Sequence, residues 1–208
     1  RDAIDGYITP EQAGKLKVIK AHYEDLESRK AELEELILAL AAPYQQELAI
    51  LQTAPGISSD FTAIGIISEI GTNMEAFPSA KHLCSWAGLT PTNNESAGKK
   101  KSVRVSKAGC YIKPLLVQCA NAVVTSKKHP EIRNRYLRLK KRRGHKKAII
   151  AIARMLLTAL YHMLKNGENY NAELYRKSDL PPADREITIE QAIIIARNQG
   201  YKIKSATA

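Results

Sequence analysis

Apolar residues recur every three or four positions from Leu16 to Tyr44, and this spacing predicts one long amphipathic helix that begins at Glu11. Lys30 is the single polar member of the stripe, which has the spacing of a coiled-coil heptad seam. The seam predicts a homodimer or higher assembly held by four apolar residues, namely Leu26, Leu33, Ile37 and Leu40. The alternative is an ordinary amphipathic helix packed on its own domain. Pro43 should end or kink this helix.

The rest of the pattern is also helical, so we predict an all-α fold, with a long coiled-coil helix followed by a compact helical domain. The compact domain starts with a helix-hairpin-helix-like segment, Leu51 to Gly71, with Pro55 and Gly56 in its turn. A glycine there can present backbone N–H groups to a phosphate, while the alternative is a plain structural turn. Further helices are predicted for Pro78 to Trp86, for Ser106 to about Ser126 with Ser106 as the cap, and for Ala148 to Leu164.

This pattern divides the chain into three parts. Residues 1–50 form the coiled-coil dimerisation helix, residues 51–170 the compact helical domain, and residues 171–208 a C-terminal tail. Within the tail, a helix from Thr188 to Asn198 is expected to dock on the domain. Trp86, the one tryptophan, is expected to anchor a loop or the core rather than to stack on a base.

Charge is distributed very unevenly along the chain. Residues 1–96 carry 7 Lys and Arg against 14 Asp and Glu, a net charge of −7, whereas residues 97–165 carry 19 against one, a net charge of +18. Residues 166–208 carry 6 of each, which leaves the formal net charge of +11 for the whole chain. Such segregation predicts a face that binds a polyanion.

The densest positive run lies between positions 133 and 147 and contains no acid. Its nine cations repel one another unless a polyanion lies opposite, which favours nucleic-acid contact over a plain solvated face. Tyr136, Leu137 and Leu139 are expected to hold this helix on the core. The cations are Arg133, Arg135, Arg138, Lys140, Lys141, Arg142, Arg143, Lys146 and Lys147.

Several functional classes are not supported by the sequence. Cys84, Cys110 and Cys119 are odd in number and lack Cys-x-x-Cys spacing, so we expect reduced thiols in a cytosol. The histidines do not pair at ligand spacing, and no metal site is predicted. The apolar run from Ala148 to Leu164 is interpreted as a buried helix, too short and too polar to span a bilayer.

The stretch from Gly88 to Gly109 is rich in glycine, asparagine and serine and is predicted to be a loop. It places the hydroxyl of Ser96 just before a group of cations. Cations can neutralise phosphate oxygens, and a serine oxygen can attack phosphorus once its proton is removed, although most such serines are simply turn residues. The cations are Lys99, Lys100, Lys101, Arg104 and Lys107, and Ser106 lies among them.

Six segments in order resemble the C-terminal domain of the bridge-RNA-guided insertion-sequence transposases, also called serine-dependent RuvC-like recombinases. The resemblance covers about residues 51–170, and the glycine that usually follows the family's serine is Ala97 here. The segments are Leu51 to Ser58, Glu69 to Gly71, Phe77 to Pro91, Ser96 to Lys99, Val105 to Gly109, and the helix from Gly144.

The resemblance implies an enzyme that cuts and rejoins DNA under the direction of a structured guide RNA, with Ser96 forming a transient phosphoserine link. It also implies a prokaryotic, cytoplasmic and nucleoid-associated protein. In the family, an N-terminal RuvC-like domain binds divalent metal such as Mg²⁺. We expect that domain to be missing here and the fragment alone to be inactive, without a cofactor of its own.

Two other functions remain open at this stage. The main alternative is a non-catalytic helix-hairpin-helix module that binds DNA or RNA and dimerises, with Ser96 as a turn residue. A scaffold assembled by the coiled coil comes third, and the segregation of charge argues against it.

Overall fold

The longest helix, α1, spans Pro10–Ala41 and starts at a well-formed cap. The Thr9 hydroxyl accepts the backbone N–H of Gln12 at 3.3 Å, and the Gln12 side chain accepts the Thr9 N–H at 3.0 Å. This reciprocal pair satisfies two N–H groups that a helix start leaves free. The helix therefore begins one residue before the predicted position and ends, as predicted, at a 3₁₀ turn that contains Pro43.

A computed structural model of the protein describes residues 6, 8–91, 94–96, 99–102 and 104–173, with backbone alone for 94–96 and 99–102. The predicted all-α fold is confirmed, apart from one short two-stranded ribbon. The predicted docking helix, Thr188 to Asn198, lies outside the described residues. After α1 the elements are α2 (Gln45–Gln52), α3 (Asp60–Ile70), α4 (Ala80–Trp86), β1 (Asn94–Ser96), β2 (Lys99–Ser102), α5 (Ile112–Thr125), α6 (Pro130–Arg143) and α7 (His145–Asn166), with 3₁₀ turns at Ala42–Tyr44 and Met74–Ala76.

Helix α7 forms the centre of the core and packs against α2, α4, α5 and α6. Ten of its side chains are buried, and Ile152, Leu157 and Leu160 expose none of their surface. Gly167, in the left-handed region at φ 67°, ends the helix after Asn166, where the Asn-Gly pair in the sequence predicts a stop. The hydrophobic face that the sequence predicted here is the surface on which the other helices assemble.

By length and composition alone, α7 could cross a membrane, because it has 22 residues and is largely apolar. The expectation that it is too short was therefore wrong. More than half of its most apolar stretch is buried inside the fold, which is the arrangement of a core helix. Its apolar character is explained by packing.

Helix α5 begins six residues later than predicted, at Ile112, and Ser106 is not its cap. The Ser106 hydroxyl instead accepts the Ala108 N–H at 3.3 Å within a turn. Gly109 then takes a positive φ of 66°, which interrupts any helix. Pro114 falls in the first turn of α5, where a missing N–H costs no helix hydrogen bond. Helix α4 likewise starts at Ala80, two residues after the predicted Pro78.

The turn between α2 and α3 depends on Gly56. Its φ of 82° lies in the left-handed region, and a Cβ on it would lie 2.5 Å from the Cys119 carbonyl oxygen of α5. The turn therefore packs directly on the α5 backbone, and no larger residue fits. The sequence predicted the helix, turn, helix order correctly but gave no sign of this contact.

We predict that Gly56→Ala lowers the free energy of unfolding by about 1–3 kcal/mol, because it adds backbone strain and a clash with a carbonyl. Chemical denaturation measures the change. The matched control is Gly14→Ala, since Gly14 lies within α1 with nothing within 4 Å of its Cβ position. The control should stabilise α1 by about 0.5–1 kcal/mol. Equal effects of the two substitutions would contradict the packing role of Gly56.

Candidate nucleic-acid interface

The segment from Gly88 to Gly109 closes on itself at a neck formed by these two glycines. A Cβ on Gly88 would overlap the Ala108 carbonyl, and a Cβ on Gly109 would overlap the Ala87 carbonyl. Both glycines have φ near 66°, in the left-handed region. The backbones therefore approach each other more closely than side chains permit, and the two ends of the segment are held together between α4 and α5.

Lys113, in the first turn of α5, supports this neck. Its Nζ donates a hydrogen bond to the Ser106 carbonyl oxygen at 2.6 Å, and it is half-buried. A Cβ on Gly88 would lie 2.8 Å from the same Nζ. Lys113 was not among the predicted site residues, because its spacing within α5 does not distinguish it from a surface lysine.

Beyond the neck the segment forms an antiparallel ribbon rather than an open loop. Pro91 pairs with Val105 in an isolated bridge, and the β1–β2 ladder follows. Ser96 is the last residue of β1 and has Lys99 as its register partner, while Glu95 has Lys100. The ladder is irregular between Asn94 and Glu95. Ser96 therefore lies at the end of the ribbon next to the connection at residues 97 and 98, which is outside the described residues.

Of the five cations predicted to act near Ser96, two have described side chains. Arg104 and Lys107 are both exposed on the second half of the segment. The side chains of Lys99, Lys100 and Lys101 lie outside the described ones, and their backbones form β2. The ribbon thus places three consecutive lysines on the strand that pairs with Ser96 and its neighbours.

A second basic feature is the corner between α6 and α7, where Gly144 is the one residue between the two helices. Its φ of 82° allows the sharp turn. The predicted cations at this corner are exposed except Arg135, which is half-buried. We call this surface the basic corner, and it consists of Arg133, Arg135, Arg138, Lys140, Lys141, Arg142, Arg143, Lys146 and Lys147.

Buried side chains attach the basic corner to the core. Ile132 and Tyr136 are buried, and the Tyr136 hydroxyl lies 2.9 Å from Nδ1 of His145. Lys140 lies over the same tyrosine ring, with its Nζ 5.8 Å from the centroid. Leu139 is half-buried, as predicted for an anchor, but Leu137 is 45% exposed, so its predicted anchoring role was wrong. A helix period places Leu137 away from the face that carries Ile132 and Tyr136.

The turn that contains Pro55 and Gly56 lines a cavity of about 350 Å³. Pro55 is buried, and the far wall of the cavity includes Lys128 and His129, from the link between α5 and α6. The cavity combines a turn, hydroxyl groups and a cation, which are groups that a phosphate accepts as partners. The packing of Gly56 on Cys119 explains the glycine without a ligand, and phosphate contact at this turn stays a prediction.

The predicted dimerisation residues are all solvent-exposed on α1. Leu26, Leu33 and Leu40 expose 53%, 59% and 69% of their surface, and Ile37 exposes 37%.

Trp86 is 44% exposed and rests against Phe77, with ring centroids 5.6 Å apart. Among the described residues, no three His, Cys, Asp or Glu side chains lie close enough to hold a metal ion.

The three cysteines are free thiols, as the sequence predicted. Cys84 and Cys119 are buried, and Cys110 is exposed beside the neck. Burial raises the pKa of the Cys119 thiol to about 11, since a thiolate is poorly solvated inside the core. Because the raised pKa keeps this thiol neutral below pH 11, it is a poor nucleophile at physiological pH.

Two comparisons relate this chain to known proteins. Residues 48–137, which include Ser96 and the first half of α6, match the family described as Transposase IS116/IS110/IS902. A curated relative, the insertion element IS110 uncharacterized 43.6 kDa protein of Streptomyces coelicolor, is 29% identical over 127 residues. Those residues make up 60% of this chain and 30% of the relative, so the chain spans less than a third of that protein's length.

We predict that at pH 8 a soluble thiol reagent labels Cys110 alone in the folded protein. Cys119 has roughly one thiolate in a thousand molecules at that pH, and Cys84 is sterically enclosed. Counting labelled sites by mass spectrometry, with and without denaturant, measures this. Cys110→Ser should leave the folded protein unlabelled. Fast labelling of Cys119 in the native state would contradict the burial that raises its pKa.

Proposed function

We propose that this chain is the C-terminal part of a DNA transposase or recombinase of the IS110/IS116/IS902 type, guided by a structured RNA, with Ser96 as the nucleophile. The observation that carries the proposal is the position of Ser96 at the end of a lysine-rich ribbon inside the segment that matches the family. The ribbon extends from a fixed neck, and a nucleophile that must reach DNA backbone benefits from that arrangement.

In the proposed step, Ser96 Oγ attacks the phosphorus of a DNA phosphodiester. A bond forms between Oγ and phosphorus, and one phosphorus–oxygen bond to the neighbouring nucleotide breaks. The hydroxyl proton passes to a base, and the departing DNA oxygen gains a proton. A hydroxyl of another strand then attacks the same phosphorus and releases Ser96, so strand exchange consumes no cofactor.

The ribbon cations supply charge where the reaction needs it. The attacked phosphate gains negative charge as the fifth oxygen approaches, and nearby ammonium and guanidinium groups stabilise that charge. The register places Lys99 opposite Ser96, and cross-strand partners are the closest pairs in an antiparallel ribbon. We therefore assign the principal electrostatic role to Lys99, and supporting roles to Lys100, Lys101, Arg104 and Lys107.

The basic corner is proposed to hold DNA or guide RNA by its phosphates. Its nine cations are unaccompanied by acids between positions 133 and 147, and buried anchors fix the helix that carries most of them. Phosphate contacts position a duplex without reading its sequence. Target choice then belongs to the RNA, and this surface supplies affinity.

The turn at Pro55 and Gly56, which lines the same cavity as Lys128, is proposed as a further phosphate contact. Ser106 is proposed as a nucleic-acid contact of the ribbon.

One part of this chemistry, a metal that helps the serine to lose its proton, is not supplied by the described side chains. A serine hydroxyl needs a base or a metal to lose its proton, and the described side chains contain no cluster that fits a divalent metal. We propose that the metal, such as Mg²⁺, is bound by the carboxylates of an N-terminal domain outside this chain. This chain's share is then the nucleophile, the phosphate clamp and pairing through α1, in a prokaryotic cytoplasm on nucleoid DNA.

Replacement of Ser96 tests the catalytic role directly. Full-length protein carrying Ser96→Ala, incubated with guide RNA, Mg²⁺ and labelled DNA, should lose the denaturant-resistant protein–DNA adduct entirely while keeping its DNA affinity within about twofold. The matched control is Ser102→Ala, since Ser102 is the other serine in the ladder and pairs with Asn94 at its opposite end. The control should form the adduct.

An equal adduct in Ser96→Ala and wild type would move the chemistry to another residue. If wild type forms no adduct and yet binds DNA tightly, this chain is a binding module without a nucleophile.

Salt dependence tests the basic corner. Removing three exposed cations, by Arg142→Gln, Lys146→Gln and Lys147→Gln together, should flatten the log–log salt slope of DNA binding by about 2–3, because each phosphate contact contributes roughly 0.9. The control removes three exposed lysines elsewhere, through Lys15→Gln, Lys17→Gln and Lys81→Gln, with the same loss of net charge. A fluorescence anisotropy series from 50 to 200 mM salt gives both slopes. Identical slopes in the two variants would mean that only net charge matters and that the corner is not a contact surface.

A further inference from the structure

Helix α1 has an apolar seam that nothing in the described part of the chain covers. The helix has 32 residues and is therefore about 48 Å long, and Ala41 is its one buried residue. Leu16, Tyr23 and Leu33 each expose more than half of their surface. Its ion pairs, such as Lys20 with Glu24 and the seam residue Lys30 with Glu34, each at 3.5 Å, join residues one turn apart on the same helix and do not cover the apolar residues of the seam.

The charge of α1 changes sign near its middle. Residues 11–22 carry three lysines and one glutamate, a net charge of +2. Residues 23–35 carry six acids and two cations, a net charge of −4. Two such helices side by side in parallel would place the two basic N-terminal parts together and the two acidic middle parts together. In the antiparallel arrangement the basic N-terminal part of each helix lies against the acidic residues Glu34 and Glu35 near the C-terminal end of the other, which is favourable.

The seam continues into an apolar groove at the C-terminal end of α1. The groove has a volume of about 440 Å³ and is formed by the end of α1, the 3₁₀ turn, α2 and α3. Ile37, Leu40 and Tyr44 belong to both the seam and the groove, and Phe61 of α3 forms the other side, 39% exposed. A second helix that packs along the whole seam therefore has one of its ends at this groove.

We infer that two copies of this chain pair through α1 in the antiparallel orientation, so that the first turns of one α1 lie over the apolar groove of the other copy. This inference rests on the pairing through α1 proposed above and adds its direction and its second contact surface. Charge complementarity between the basic N-terminal part of α1 and Glu34 and Glu35 of the other copy, together with the continuity of seam and groove, selects the second copy as the occupant.

One register pairs every position of the seam from Leu16 to Leu40. With the centres of the two helices aligned near Ser28, eight seam positions form layers, and Lys30 is the one polar participant. In this register the basic end of each α1 reaches the groove end of the other, at the level of Ile37 and Leu40. The layers are Leu16 with Leu40, Ile19 with Ile37, Tyr23 with Leu33, and Leu26 with Lys30, each occurring twice by symmetry.

Residues that flank the seam also distinguish the two orientations. In the antiparallel register Lys20 of one copy lies beside Glu34 of the other, and symmetry gives two such attractive pairs. In a parallel coiled coil, Lys20 would instead lie beside Lys15 of the second copy, which is repulsive. The charge of residue 20 therefore affects the two arrangements in opposite directions.

Cross-linking of the full chain in a Cys110→Ser background tests the orientation. A mixture of one copy with Leu16→Cys and one with Leu40→Cys should form a disulfide-linked dimer, because the antiparallel register places these residues in one layer. In a parallel pair they are about 36 Å apart. Leu33→Cys alone should not cross-link, since its two copies lie about 15 Å apart in the antiparallel register.

The outcomes separate orientation from pairing. Efficient self-linking of Leu33→Cys, without the mixed product, would establish a parallel dimer and overturn the inference while the pairing stands. A monomer in sedimentation at tens of micromolar, without cross-links, would overturn both. Neither result bears on the Ser96 adduct, which is measured separately.

Charge reversal gives an independent test by dimer dissociation. Lys20→Glu should weaken the dimer by roughly tenfold at low salt, because two attractive pairs become repulsive. Adding Glu34→Lys should restore the affinity. The matched control, Lys17→Glu, makes the same charge change on the outer face and should leave the dissociation constant within about twofold. A tighter dimer with Lys20→Glu would indicate the parallel arrangement and overturn the inference.

Discussion

Burial of helix α7 is the interaction on which the rest of the structure depends. Its side chains form the surface against which α2, α4, α5 and α6 pack, and Leu156, Leu157 and Leu160 are almost completely removed from water. Such burial is the largest favourable contribution to folding, and here it determines where the polar features lie. The ribbon connects α4 to α5, and the basic corner connects α6 to α7, so both connect helices of the same core. The two surfaces proposed to contact nucleic acid are thereby attached to a rigid apolar centre.

The basic corner illustrates how the core holds an unfavourable surface in place. Neighbouring cations on one helix repel one another, and α6 ends with four of them in its last turn. Their position near the helix C-terminus is favourable because the carbonyl end of the helix dipole is negative. Ile132 and Tyr136 fix the helix from below, and the contact between Tyr136 and His145 fixes the angle to α7. The surface is thus held in place by the fold itself, and under the proposed function this order would reduce the entropy lost when a polyanion binds.

Much of the fold could be predicted from periodicity, because long amphipathic helices such as α1 and α7 have strong local signals. The starts of α4 and α5 were placed too early, near Pro78 and Ser106. For α5 the reason is that the turn hydrogen bond of Ser106 and the positive φ of Gly109 compete with helix formation. The ribbon was predicted as a loop because its sequence has little strand propensity and its pairing depends on the neck. For the candidate site, the sequence named the cations and Ser96, and their roles stay predictions. It could not locate Lys113, Lys128 or the Tyr136–His145 contact, because these depend on residues that only the fold brings together.

The neck at Gly88 and Gly109 has a consequence for how this protein can evolve. The two backbones are in contact at the neck. The packing of the core therefore depends on the neck and not on the length or composition of the ribbon beyond it. Insertions or deletions between these glycines change the reach of the ribbon without disturbing α4 or α5, since closing a longer loop costs little additional entropy. Gly88 and Gly109 are therefore the positions at which the segment is fixed to the core, whatever its length between them.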